Sequence, residues 1–248
     1  RLDGVTGVQT CALPILINSL SGKDEGEKQF FPDKKIGWGL ISFVGVDCFL
    51  FIFVFNIQPA RANKMTLSAL KAMYANPVTG VNEMKNALEF ASPHIDDIRS
   101  DLGRTAGQML GEDSVAKMGQ KTAKEIFELA YTNLQKNVGL HPLDIRNLLS
   151  LAQLAQYGVN ITGDSKYILE AINYMEEALR LSPRRQQVIY GLAGIYGSIG
   201  NVEKAVGLLE GAIDDNPVID ESYWRLAYLY KFVGQEDKAK EVIVLAEK

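Results

Sequence analysis

From residue 61 to the C-terminus, apolar side chains recur every three to four positions, the spacing that lines one face of an α-helix. The pattern predicts helices over 61–75, 80–91, 94–110, 113–137, 142–157, 165–181, 184–199, 202–214, 218–233 and 236–247. Pro77, Pro93, Pro142, Pro183 and Pro217 fall at helix starts or between helices, where a missing amide hydrogen costs nothing. No run alternates with a period of two for long enough to predict a sheet, so the expected class is all-α. Ahead of these helices the pattern changes. Residues 36–57 read IGWGLISFVGVDCFLFIFVFNI, 22 residues with a single charge. A membrane helix needs about 20 mostly apolar residues, so this stretch predicts one.

Within the helical part the pattern repeats. Ile189, Leu192, Ala193, Tyr196, Ala205, Leu209 and Ala212, followed by Pro217, return 34 residues later as Tyr223, Leu226, Ala227, Tyr230, Ala239, Ile243 and Ala246. Ala171, Met175, Ala178 and Pro183 carry the same spacing one unit earlier, while Leu151-Ala152 match Leu192-Ala193 at a shift of 41. The seven extra residues are expected in the turn-rich stretch 157–164. Before it, Ala130, Leu134 and Pro142 keep the spacing of a second helix. A Leu, a small residue and Tyr on one helix, then Ala, an aliphatic residue and Pro around the next, resemble the tetratricopeptide repeat. That resemblance implies stacked helical hairpins whose first helices line a concave surface. The expected organisation is a polar loop over 16–35, a transmembrane helix over 36–57, degenerate helical repeats over 61–141 and tetratricopeptide repeats over 142–248. One hairpin cannot bury its apolar face alone, so several must stack. Small residues such as Ala205, Ala212, Ala239 and Ala246 let paired helices approach closely.

Composition and charge narrow the chemistry. A net charge of −4 and a pI near 5.4 argue against nucleic acid as a partner. Val5 to Ile15 read VTGVQTCALPI, which resembles a translated sequencing adapter, and the chain begins with Arg1. Residues 1–15 are therefore expected to be an artefact, with the biological protein continuing upstream of Leu16. Cys11 falls in that segment and Cys48 in the apolar run, so no disulfide framework is expected. Lys23, Lys28, Lys34 and Lys35 precede the apolar run; Arg61, Lys64 and Lys71 follow it. The slight excess before it favours residues 16–35 inside and the repeats outside the membrane.

Candidate functional residues lie in two places. Asp47 sits in the middle of the apolar run, where a charge costs about 2.5–3.5 kcal/mol on an insertion scale. It is expected to face other membrane helices and pair there; the alternative is a protonated Asp tolerated by an otherwise very apolar helix. On the repeats, helical spacing puts Arg146, Gln153, Gln187, Tyr190, Glu221, Trp224, Tyr228 and Lys231 on the concave surface, and aromatics with a few charges suit a protein or peptide partner. The alternative for Tyr190 and Trp224 is packing between units. No metal, cofactor or catalytic residue is expected: His94 and His141 sit apart in connections, and no phosphate-binding glycine loop occurs. Ser68 and Lys71 have the spacing of a serine activated by an amine, without the companion motifs such an enzyme needs.

The segments SPHIDDIRSDLGRT, LHPLDIRNLLSLAQL, SPRRQQVIYGLAGIY and ESYWRLAYLYK, in this arrangement, also resemble the C-terminal tail of bacterial O-antigen ligase-like membrane proteins. The resemblance implies a place in the bacterial inner membrane, an extracytoplasmic repeat array and a role in surface-glycan assembly. In that family glycan transfer belongs to a multi-helix membrane domain outside this sequence, so no catalytic residue is carried over and this stretch is read as non-enzymatic. A stand-alone single-pass scaffold is the alternative.

Overall fold

A computed structural model describes residues 34–246. The adapter-like segment and the polar stretch through Asp33 lie outside the described residues. The chain divides into two compact units, Arg1–Ile52 and Phe53–Lys248. In the first, the described residues form a single helix, α1 (Lys34–Ile52), whose side chains from Ile41 onward are exposed. Ile41, Phe43, Phe49 and Phe51 are each more than 60% exposed, the opposite of what water tolerates in a long apolar helix. Asp47 and Cys48 are exposed on the same helix.

The second unit begins with a π-helical turn, Phe53–Ile57, and continues into α2 (Gln58–Ala75). Pro59 falls in the first turn of α2, where its missing amide hydrogen is no loss. The apolar pattern thus carries no chain break at residue 57. The stretch Ile41–Ala75 is long and apolar enough to cross a membrane, and its most apolar window has no buried residue.

Beyond it come α3 (Pro77–Glu89), α4 (Ile95–Met109), α5 (Glu112–Met118), α6 (Gln120–Leu140), α7 (Ile145–Thr162), α8 (Lys166–Leu181), α9 (Gln186–Ser198), α10 (Val202–Asp215), α11 (Asp220–Phe232) and α12 (Glu236–Ala246), with no strand among the described residues. They pair as hairpins, α2 with α3, α4 with α6, α7 with α8, α9 with α10 and α11 with α12, and the second helix of each pair also packs on the first helix of the pair that follows. The architecture is a helical-hairpin solenoid. Its core is a continuous row of buried residues from Met73 and Met84 through Leu102, Phe127, Leu134, Leu151 and Leu192 to Leu226. Each fully buried side chain of that size contributes about 1.5–3 kcal/mol.

Two expected boundaries change, each for a physical reason. The single helix expected over 113–137 is two, because Gly119 takes φ +85°, a left-handed conformation that ends α5 and starts α6. The loop expected over 157–164 is mostly helix, since α7 runs on to Thr162 and stops only at Gly163, φ +74°. Ile161 is buried there, Gln120 Nε2 donates to the Ile161 carbonyl at 2.7 Å, and Gly158 lies against Phe127. Five of the seven extra residues therefore lengthen the end of α7 and two the start of α8, instead of forming a turn. The connections before α7, α9 and α11 share one form, residues 141–144, 182–185 and 216–219, each with Pro at its second position.

Candidate docking grooves on the first-helix face

The first helices α7, α9 and α11 stand side by side, and grooves open between them. Equivalent positions sit 34 residues apart on α9 and α11: Gln187 with Glu221, Tyr190 with Trp224, Gly194 with Tyr228, and Ser198 with Phe232. On α11 the last three of these positions are large and aromatic. Trp224, Tyr228 and Phe232 follow each other at four-residue intervals, so they form one stripe, and they are 50%, 72% and 66% exposed.

Between α9 and α11 the stripe walls a groove of about 500 Å³, with Ala193, Gly194 and Gly197 on the α9 side. A Cβ at Gly194 would meet nothing within 4 Å, so the space above it is open. The opposite holds at Gly197, where a Cβ would lie 3.0 Å from Leu229 Cδ1. Tyr190 forms one end. Its hydroxyl pairs with Ser222 Oγ at 2.7 Å, and the Arg225 guanidinium lies over its ring, 4.7 Å from the centroid. Glu221 holds Arg225 there through an ion pair of 2.7 Å.

A second groove, of about 420 Å³, opens between α7 and α9. Arg146, Gln153, Gln156, Arg185 and Gln187 line it over Leu149 and Met175. The residues expected on one surface thus divide. Arg146, Gln153 and Gln187 line the polar groove; Tyr190, Trp224 and Tyr228 line the aromatic one. Glu221 and Lys231 line neither: Glu221 acts through Arg225, and Lys231 is exposed beside the stripe. Phe232, Gly194 and Arg185 were not anticipated. Phe232 was within reach, being one more turn along the Trp224 stripe, and the 34-residue shift marks Gly194 as the partner of Tyr228.

A third groove, of about 530 Å³, lies between α4 and α7 and is lined by Asp96, Asp97, Asp101, Asp144, His94 and His141, among others. Its charges are largely paired. Asp96 accepts from Arg99 at 3.1 Å and meets His141 Nε2 at 2.8 Å, Asp101 accepts from Arg104 at 2.7 Å, and Asp144 holds Arg146 at 3.3 Å. Beneath it the fully buried Asn137 donates to the Asp96 carbonyl at 2.7 Å and to Ser100 Oγ at 3.0 Å. This network joins α4, the end of α6 and the start of α7, which makes it a structural bolt. Among the described residues no group of three His, Cys, Asp or Glu is placed to hold a metal ion. The Ser68 hydroxyl donates to Glu83 at 3.0 Å, not to Lys71.

Known proteins fit this geometry. Residues 168–229 and 220–248 match two sequence models of the tetratricopeptide repeat, which together run from within α8 through α12. No curated protein matches the chain. Among solved structures, a MamA protein is similar with a TM-score of 0.50 and 18% identity, covering 75% of this chain and 91% of its own. A thermophilic TPR protein of Thermus thermophilus is similar at 0.48 and 19%, covering 75% of this chain and 89% of its own. At the first of these values the likeness is one of fold.

Proposed function

We propose that this tetratricopeptide array is a membrane-tethered docking module, and that it grips a protein partner in the groove between Tyr190 and the Trp224 stripe. The observation that carries this is the stripe itself. On the first helices α4, α7 and α9 the large apolar side chains are buried or half-buried, whereas Trp224, Tyr228 and Phe232 of α11 stand open beside a glycine. Aromatic side chains that are exposed and concave in arrangement are what binding hot spots are made of. The array is a scaffold and carries no chemistry of its own in this reading.

The tether is the apolar stretch that includes α1, with the array on the outer side of a bacterial plasma membrane. Asp47 pairs there with polar groups of neighbouring membrane helices, since an isolated charge at that depth is costly. The module is the C-terminal tail of an O-antigen ligase-like protein of surface-glycan assembly. The order of an apolar helix followed by this repeat array supports that assignment, together with the segments quoted above.

A photo-crosslinking residue at Tyr228 in the full gene, expressed in its own membrane, tests the docking surface. The expected result is a discrete adduct that disappears when Trp224→Ala accompanies it, with helicity unchanged. Crosslinking that ignores Trp224→Ala sinks the proposal. Alkaline carbonate extraction tests the tether: the chain is expected to stay in the pellet. A long sequencing read upstream of Leu16 tests the glycan connection. Several further apolar spans support it, and a start codon just upstream leaves a single-pass scaffold instead.

A further inference from the structure

The two neighbouring grooves differ in charge, and the difference specifies a partner. In the groove between α7 and α9, both charged lining residues are arginines, Arg146 and Arg185, and no Asp or Glu lines it. The Arg185 guanidinium donates to Gln187 Oε1, at a long 3.4 Å, and no carboxylate among the described residues lies within ion-pair reach of it. Arg146 is paired with Asp144 through two long bonds, 3.3 and 3.4 Å, and also borders the acidic groove between α4 and α7, which leaves Arg185 as the cation here with no carboxylate partner among the described residues. Gln153 and Gln156 each spend one amide hydrogen on a backbone carbonyl, at 3.4 and 3.3 Å, and an amide nitrogen has a second to give. The groove is thus a ring of donors with a positive balance.

The aromatic groove is the reverse. The cation that lines it, Arg225, is neutralised by Glu221 at 2.7 Å and lies flat on Tyr190. Nothing there invites an acid. Helix α9 is the wall between the two grooves: Gln187 faces the polar one and Tyr190, one turn on, faces the aromatic one.

We infer that the partner of this face is an extended peptide segment bearing an acidic side chain for the Arg146–Arg185 groove and a large apolar side chain for the Tyr190–Trp224 groove. The inference rests on reading the face as a docking surface. Guanidinium groups take carboxylates in paired, charge-assisted hydrogen bonds, which a lysine-bearing or neutral peptide cannot supply. The two grooves flank α9, and a helix with its side chains is about 10–12 Å across, so the grooves are separated by roughly that distance. An extended chain advances about 3.3–3.6 Å per residue, which sets the acidic and apolar side chains about three positions apart.

The test uses the full chain in detergent micelles and fluorescence anisotropy of labelled peptides. The peptides carry one Glu and one Phe in an alanine–serine background at increasing separation, with Lys-for-Glu and Ala-for-Phe counterparts. Tightest binding is expected at the three-position separation, and at least about tenfold weaker binding is expected for the Lys peptide. Charge reversal by Arg146→Glu with Arg185→Glu should turn the preference toward the Lys peptide and leave the dependence on Phe intact. Arg146→Gln with Arg185→Gln, which introduces no repulsion, should erase the preference without reversing it. Equal affinity for the Glu and Lys peptides overturns the inference and leaves the docking reading standing, provided Phe still matters. Indifference to Phe sinks the docking reading as well. Binding to phosphatidylglycerol vesicles that is lost in the charge-reversed chain, with no peptide preference, overturns the inference in favour of a lipid surface.

Discussion

Tyr131 is 6% exposed, stacked on Phe127 at 5.3 Å and edge-on to Tyr167 at 5.4 Å, and its hydroxyl donates to Glu170. Burial first, and then the carboxylate beside it, raise its pKa well above the ordinary tyrosine range. An unfolded chain loses the phenolic proton near pH 10, roughly, while the folded chain keeps it. The folded state then binds the extra proton, so this contribution is complete below that pH and is lost progressively as pH rises from there toward the higher folded-state value. Burial also raises the pKa values of Tyr196 and Tyr230, which act in the same direction. Thermal melts between neutral and alkaline pH should therefore show falling stability, with a shallower fall in Tyr131→Phe. Identical slopes would remove Tyr131 from the account. Gly194 poses the opposite case, a residue defined by the space it leaves. A Cβ there meets no atom within 4 Å, and helix propensity favours leucine over glycine by about 0.5–1 kcal/mol. Gly194→Leu is expected to hold or raise the melting temperature while blocking the aromatic groove, so a stable variant that still binds its partner would misplace the site.

At the scale of elements, α7 shows where pattern and structure part. The hairpins, their order and the small-residue contacts were legible, because the 34-residue period writes them out in Leu192, Ala205, Leu226 and Ala239. The last two turns of α7 were not. Gly158, Asn160 and Thr162 read as turn formers, yet burial of Ile161 and the close approach of Gly158 to Phe127 and Tyr167 outweigh local preference. A Cβ at Gly158 would fall 2.6 Å from Phe127 Cζ, inside the aromatic cluster that joins α6 to α8. Gly158→Leu should therefore cost about 1–3 kcal/mol or more by overpacking, read from urea unfolding. A neutral outcome would mean that α7 ends earlier than Thr162. The grooves divide in the same way. Trp224 and Tyr228 announce themselves by helical spacing, but Arg185 lies in a connection, where periodicity says nothing about which groove a side chain enters.

Across the array each hairpin touches only its neighbours, so stability is a sum of local terms and interfaces instead of one indivisible quantity. Those terms are uneven. Helix α6 buries eight residues, among them Ile126, Phe127, Ala130 and Leu134, whereas α12 buries two, Ala239 and Val242. The middle of the array should hold its amide hydrogens longest and the α11–α12 hairpin should open first. The aromatic groove is built across the α9–α11 interface, so the least stable hairpin carries half of the proposed binding surface. A partner that bridges Tyr190 and Trp224 binds only the closed hairpin, and by mass action it stabilises that hairpin in particular. Hydrogen exchange read by mass spectrometry is expected to show fast exchange over 236–246, slow exchange over 120–140, and protection by a bound peptide confined to α7, α9, α11 and α12. Ala239→Leu should hasten exchange in the last hairpin and leave α6 unchanged. Uniform exchange along the chain would show one cooperative block, and the coupling of binding to end-hairpin closure would fall with it.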